Sequence, residues 1–173
     1  GDAPAEDRVG EFRVLRVGNK ATMNFAGALA VRRLAAAEHL DVVVENICKI
    51  PFFSPLYTRV PVLPIVLHLF GESVFQETNV AFGSYVWLYE QLIPSVYRGL
   101  HCVTISQSTS DDLTRRGLRT ASTDIVSPGI DLSRYPAGGA KDPTPLVVYV
   151  GMLKRYKGLD IVLRAFAQVR REL

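Results

Sequence analysis

Cysteine is scarce: Cys48 and Cys102 are the only two in 173 residues. They lie far apart, with no CxxC spacing and no histidine cluster, which excludes a disulfide framework and argues against a zinc site. Few, scattered cysteines fit a reducing, cytosolic compartment. Long hydrophobic runs are missing too. The longest, VPVLPIVLHLF, holds two prolines and a histidine and falls far short of the roughly 18–20 residues of a membrane span. No GxGxxG follows a strand with an acidic residue further on, so nothing marks a dinucleotide-binding oxidoreductase. No DxD or other carboxylate pair sits in a strand-end loop; Asp111 and Asp112 read as the start of a helix. Charge of one sign is nowhere concentrated over long blocks, and a net charge of +3 does not point to nucleic acid. The opening GDAPAEDRVGE has no Met, no basic region and no apolar stretch of a leader, and reads as the interior of a longer chain.

What is present is ample apolar material, 48% of the residues, enough for one sizeable core or for one core and a piece of another. Short β-branched runs alternate with helical stretches. FRVLRV (12–17), DVVVEN (41–46), VLPIVLHL (62–69), HCVTIS (101–106), DIVS (124–127) and LVVYVG (146–151) read as strands. Residues 23–39, 84–98, 108–117 and 158–173 read as helices. Near-continuous apolar strands separated by helices predict α/β architecture, a Rossmann-like parallel sheet covered on both faces. The Pro- and aromatic-rich segment 47–61 reads as a packed loop at a strand's C-terminal end, the edge where open α/β sheets bind ligands. Residues 128–145, turn-rich and without apolar periodicity, read as an interdomain linker. The expected organisation is one domain over 1–127, the linker, and the first strand–helix unit of a second domain over 146–173.

At the start of that second unit stands GMLKRYKG, residues 151–158. Lys154, Arg155 and Lys157 gather just ahead of a predicted helix, whose N-terminus already carries about half a positive charge; each cation there costs on the order of 0.3–1 kcal/mol. A βα turn with free backbone N–H groups and cations is a place for a phosphate. On charge alone, exposed cations balanced by Asp160 in the first helical turn explain the pattern as well.

The string YVGMLKRYKGLDIVLRAFAQVR resembles the opening of the C-terminal domain in glycosyltransferase family 4, the retaining enzymes of GT-B fold. Upstream, IPFFSPLY, HLFGE, LIPSVYRG, TISQSTSDDLTRRG and VSPGID are similar to successive landmarks of that family's N-terminal domain and hinge. The resemblance covers most of residues 40–173. It implies a GT-B-type chain truncated in its second domain, transferring a sugar from a nucleoside-diphosphate sugar to a hydroxyl acceptor, with Gly151, Lys154, Arg155, Lys157 and Gly158 at the donor diphosphate. It implies no metal and no cofactor beyond the nucleotide sugar, a carbohydrate or lipid-linked acceptor, and a cytoplasmic chain for which peripheral contact with the inner membrane face stays open. Two positions depart from the pattern. Met152 stands where the family has Arg, so either Lys154 or Arg155 substitutes or donor binding is weakened, and Pro128 replaces the hinge Asn and stiffens that turn.

His68, at the end of a strand, resembles the family histidine near the donor sugar, where an imidazole can hydrogen-bond a hydroxyl; Glu72 follows it in the same loop. Ser106, at another strand end, is a cleft candidate. Ser108 with Asp111 three residues on has the form of a capping box. Phe52 and Phe53 are acceptor-contact candidates, although aromatics in a Pro-rich loop more often pack on their own domain. Because the family's N-terminal glycine-rich loop and its Glu-x7-Glu region lie outside these residues, we expect no sugar transfer from residues 1–173 alone. Another nucleotide-dependent Rossmann-like enzyme and a non-catalytic α/β binding domain are the alternatives.

Overall fold

The computed structural model describes residues 3–19, 22–47, 50–135, 138 and 143–172. Cys48, residues 136–137 and 139–142 of the predicted linker, and Leu173 lie outside the described residues. The chain is α/β. A hairpin of β1 (Glu6–Val9) and β2 (Phe12–Leu15) precedes helix α1 (Met23–Ala37). Four parallel strands then form one sheet in sequence order: β3 (Val43–Ile47), β4 (Val62–Val66), β5 (His101–Thr104) and β6 (Ser122–Ile125). Helices α2 (Val74–Glu77) and α3 (Val80–Val96) connect β4 to β5, α4 (Gln107–Arg115) connects β5 to β6, and α5 (Leu159–Glu172) closes the described chain. This is the parallel sheet that the alternation of apolar runs and helices predicts, consistent with a Rossmann-like architecture. Among the described residues, no helix is long and apolar enough to cross a membrane.

Register in the sheet follows from which side chains must be buried. Ile47 pairs with Val66, and Val66 with Thr104, so that these three, all buried, stand in one row. The buried stripe of α3 is Gly83, Val86, Glu90 and Ile93, spaced three or four residues apart as one helical face requires; Ile93 joins Ile47 and Val66 in the core, while Gly83 meets Phe75 of α2. Tyr97 extends that stripe, and Leu113 and Leu118 close the core from the side of α4. Ile47, Val66, Val86 and Ile93 each keep at most 1% of their surface exposed, and burial of such a side chain is worth about 1.5–3 kcal/mol. Cys102 belongs to this core, where burial alone pushes its thiol up to about 11.

Within the apolar core lie two carboxylates. Glu45, inward on β3 beside Ile47, is 3% exposed. Its Oε1 accepts hydrogen bonds from the backbone N–H of Phe52 (2.6 Å) and Phe53 (3.2 Å) and from the Tyr97 hydroxyl (2.6 Å), and its Oε2 accepts from the N–H of Ser54 (3.1 Å). These donors are the entry to a 3₁₀ turn, Ser54–Leu56, and they hold Phe53 in the left-handed region at φ +56°. A buried charge is tolerated only when it is so surrounded.

Three predicted features differ in the structure. The 12–17 strand is not part of the parallel sheet; it pairs antiparallel with β1 across a two-residue turn at Gly10, whose φ is +59°. Its two arginines, three residues apart and so on opposite faces, explain this: Arg13 reaches Glu6 (2.8 Å) and Arg16 reaches Asp7 (3.0 Å) across the hairpin, and neither face is apolar enough to be buried. Residues 146–151 form no strand, because among the described residues no neighbour lies alongside to complete a ladder, and Leu146, Val147 and Val150 are exposed. The cap of α4 is Ser106 rather than Ser108, with Ser106 Oγ accepting from the N–H of Thr109 at 3.3 Å.

Two outcomes follow from the Glu45 cluster. Glu45→Ala takes the acceptor from the N–H groups of Phe52 and Ser54 and from the Tyr97 phenol, leaving the Phe53 N–H only its bond to the Tyr97 hydroxyl at 3.1 Å, and we expect a loss of about 3 kcal/mol, measured as a shift in the urea midpoint with unchanged slope. Burial first, and the Glu45 carboxylate second, raise the Tyr97 phenol well above its ordinary value of about 10. The stability this gives is whole below pH ~10 and is lost as the pH rises beyond it, by about 1.4 kcal/mol per unit, because the unfolded chain ionises there and the folded one does not. A urea-midpoint series from pH 9 to 11 should show this decline, and Tyr97→Phe should flatten it.

Candidate functional site

Beyond the C-terminal end of β4 the chain runs through Leu67 and His68 into a 3₁₀ turn, Gly71–Ser73. That loop is fixed from two helices. Glu90 of α3, 1% exposed, accepts from the N–H of Phe70 at 2.7 Å and of Gly71 at 2.8 Å. Arg116, just after α4, stands 3.5 Å from Glu90 Oε2 and donates to Asp112 at 2.9 Å. The hydroxyl of Thr109 donates to the carbonyl of Leu67 at 3.1 Å, tying the start of α4 to the end of β4. With its neighbours held on both sides, His68 projects from a rigid edge, its ring tilted against Phe70 with centroids 4.8 Å apart.

Facing His68 is the cation-rich segment. Arg155–Lys157 form a 3₁₀ turn, Gly158 takes the left-handed conformation at φ +61°, and its carbonyl accepts the first bonds of α5. Between the two parts lies a cavity of about 600 Å³, within the range of small-molecule sites. His68, Phe70, Ser73 and Glu77 line one side over an apolar floor of Val74, Phe82 and Val86; Lys154, Tyr156 and Lys157 line the other. Lys154 Nζ is 3.4 Å from Glu77 Oε2, and the N–H of Tyr156 points to Glu77 Oε1 at 3.5 Å. Lys157 Nζ lies over the Tyr156 ring, 5.0 Å from its centre, and makes no ion pair among the described residues.

The cavity thus brings together His68, Lys154 and Lys157 among the residues singled out in the sequence. Arg155 in the turn, Gly158 capping it and Gly151 ahead of it do not line the cavity. Of the neighbouring Lys154 and Arg155, Lys154 is the one facing the cavity. Glu72 is exposed in the Gly71–Ser73 turn and is not part of the lining. Ser106 is occupied as the cap of α4, also bonding the hydroxyls of Ser108 and Thr109 at 3.0 Å. Phe53 is a core residue stacked on Tyr89, and Phe52 packs against α1, where its ring leaves no room for a Cβ on Gly27; neither lines the cavity. Asp160 forms an exposed pair with Arg164 at 2.6 Å. Among the described residues no three His, Cys, Asp or Glu side chains cluster as they would around a metal ion.

No family model, curated protein or solved structure matches the chain.

Glu77 and Tyr156 are among the lining residues that sequence reasoning missed. A signal was available for the first: Glu77 and Glu90 are the only charged residues between Glu72 and Arg98. A lone charge in an apolar stretch needs a partner, and each of these has one.

Gly71 sets the geometry that presents His68. Its φ is +53°, and a Cβ there would come within 2.7 Å of Arg116 Nη2. We expect Gly71→Ala to cost about 1–2 kcal/mol, read from the urea midpoint; a stability equal to that of the parent would show that the turn is not constrained as described.

Proposed function

We propose that this chain belongs to a retaining glycosyltransferase of GT-B type, similar to family 4, and that its cavity receives the diphosphate and sugar of a nucleotide-sugar donor. Support comes from one observation. A histidine at the C-terminal edge of a parallel sheet and two lysines from a remote turn–helix unit converge on one cavity of about 600 Å³, and all three fall on the landmarks that resemble that family. Ligands of open α/β sheets bind at this edge, and the start of α5 adds its partial positive charge.

The chemistry assigned to these residues is electrostatic. When the bond between the sugar's anomeric carbon and the diphosphate breaks, negative charge grows on the departing phosphate oxygen. Lys154 and Lys157 are placed to stabilise it, and in sites of this kind one donor is worth about 2.7–4 kcal/mol of barrier. The acceptor's hydroxyl oxygen forms the new bond on the same face of the sugar, and its proton passes to the leaving phosphate. The His68 imidazole orients the donor by a hydrogen bond to a sugar hydroxyl. A hydroxyl acceptor, carbohydrate or lipid-linked, completes the assignment.

Calorimetric titration of the 173-residue chain with a panel of nucleoside diphosphates tests this. Binding of at least one is expected, weakened about tenfold in Lys157→Ala, the equivalent of about 1.4 kcal/mol. Equal affinity in parent and variant would remove Lys157 from the diphosphate site.

A further inference from the structure

Resting on the diphosphate site proposed above, we propose that Glu77 is a built-in competitor for that site: its carboxylate occupies the donors a phosphate oxygen would take, and an incoming anion must displace it. The geometry supporting this lies on both sides of the cavity. Glu77 is the last residue of α2, a single short turn following the loop that Glu90 fixes. Its side chain is only 18% exposed and points across the cavity rather than into solvent. One of its oxygens stands 3.4 Å from the Lys154 ammonium, and the other faces the backbone N–H of Tyr156 at 3.5 Å. An ammonium and a backbone N–H from one loop are the donor set by which phosphate is recognised. Both contacts are long for charge-assisted bonds, and the Lys154 side chain is 46% exposed. Such a pair contributes little to stability and breaks readily. It therefore suits a replaceable occupant better than a strut.

The electrostatics point the same way. Lys154, Arg155 and Lys157 crowd the approach to α5, and Asp160 in its first turn is engaged with Arg164. Glu77 is the acidic side chain that relieves this crowding from across the cavity. A diphosphate arriving there meets a carboxylate, and its binding includes the cost of parting Glu77 from Lys154. Removing the carboxylate charge while keeping its shape should tighten anion binding, and that gain should depend on Lys154.

The test uses inorganic pyrophosphate as the probe and the 173-residue chain, with affinities from calorimetry. Glu77→Gln is expected to bind pyrophosphate on the order of tenfold more tightly than the parent, and most of this gain should vanish when Lys154→Ala is present in both members of the comparison. Glu77→Asp, whose shorter side chain draws the charge back from Lys154, should fall between the two, and carries the test by itself should the Gln variant fail to fold. The inference is overturned, and the site retained, if the parent binds pyrophosphate through Lys157 but Glu77→Gln binds it no more tightly. It is overturned equally if the gain persists undiminished without Lys154, since that describes a distant field and not a shared donor. Should neither parent nor variant bind pyrophosphate at millimolar concentration, the diphosphate site and the inference fall together.

Discussion

The grip of the Glu90 carboxylate on two backbone N–H groups, those of Phe70 and Gly71, is the contact on which the candidate site depends. A carboxylate with 1% of its surface exposed forgoes several kcal/mol of hydration, and it persists here because two main-chain donors and a guanidinium surround it. The loop benefits in turn. Chain leaving a parallel strand has no ladder to satisfy its backbone groups, and without Glu90 the segment from His68 to Ser73 would be free to choose among many conformations. Glu45 performs the same task for the loop after β3. Each of these loops at the ligand-facing edge is thus held by a buried acid, one from its own strand and one from the helix packed across the core.

Electrostatics on the far side of the cavity follow a different rule. Lys154, Arg155 and Lys157 are solvent-facing, and their mutual repulsion is screened over roughly 8–10 Å at ordinary salt. Such a cluster survives next to a helix start because water and one carboxylate suffice to neutralise it. Where Glu90 is locked, Glu77 is loosely held. The two acids, lone charges of one apolar stretch, mark the difference between a residue that shapes a site and one that answers to what enters it.

Much of the fold was legible because β-branched runs alternating with helical stretches point to a parallel sheet, although the expected burial of both faces is not reached: Val44 on β3 and Ile125 on β6 stay exposed. DVVVEN, VLPIVLHL and HCVTIS could hardly be anything else, and the sheet contains all three. The hairpin was misplaced because FRVLRV is apolar enough to pass as a core strand until its arginines are counted as cross-strand partners of Glu6 and Asp7. LVVYVG has strand composition throughout, yet composition supplies no neighbour. The cap of α4 moved by two residues since SQSTS offers several hydroxyls and only tertiary packing, through Thr109 and Leu67, chooses between them. Of the site, His68, Lys154 and Lys157 were visible as residue types at a strand end and a helix start. Glu77 was passed over because it lies between the HLFGE landmark and the predicted 84–98 helix, in neither of them, although its isolation in charge was in plain view.

Helix α3 carries one more implication. Glu90, which holds the 67–72 loop, and Tyr97, which bonds Glu45 and so the 50–57 loop, are seven residues apart, the first within α3 and the second the residue that caps its C-terminus. Neither loop can loosen fully without disturbing α3, and any lift of α3 releases both. The amide hydrogens of Phe52, Phe53, Phe70 and Gly71, distant in sequence, therefore belong to a single cooperative unit, and they should exchange with solvent through one shared opening instead of two independent ones.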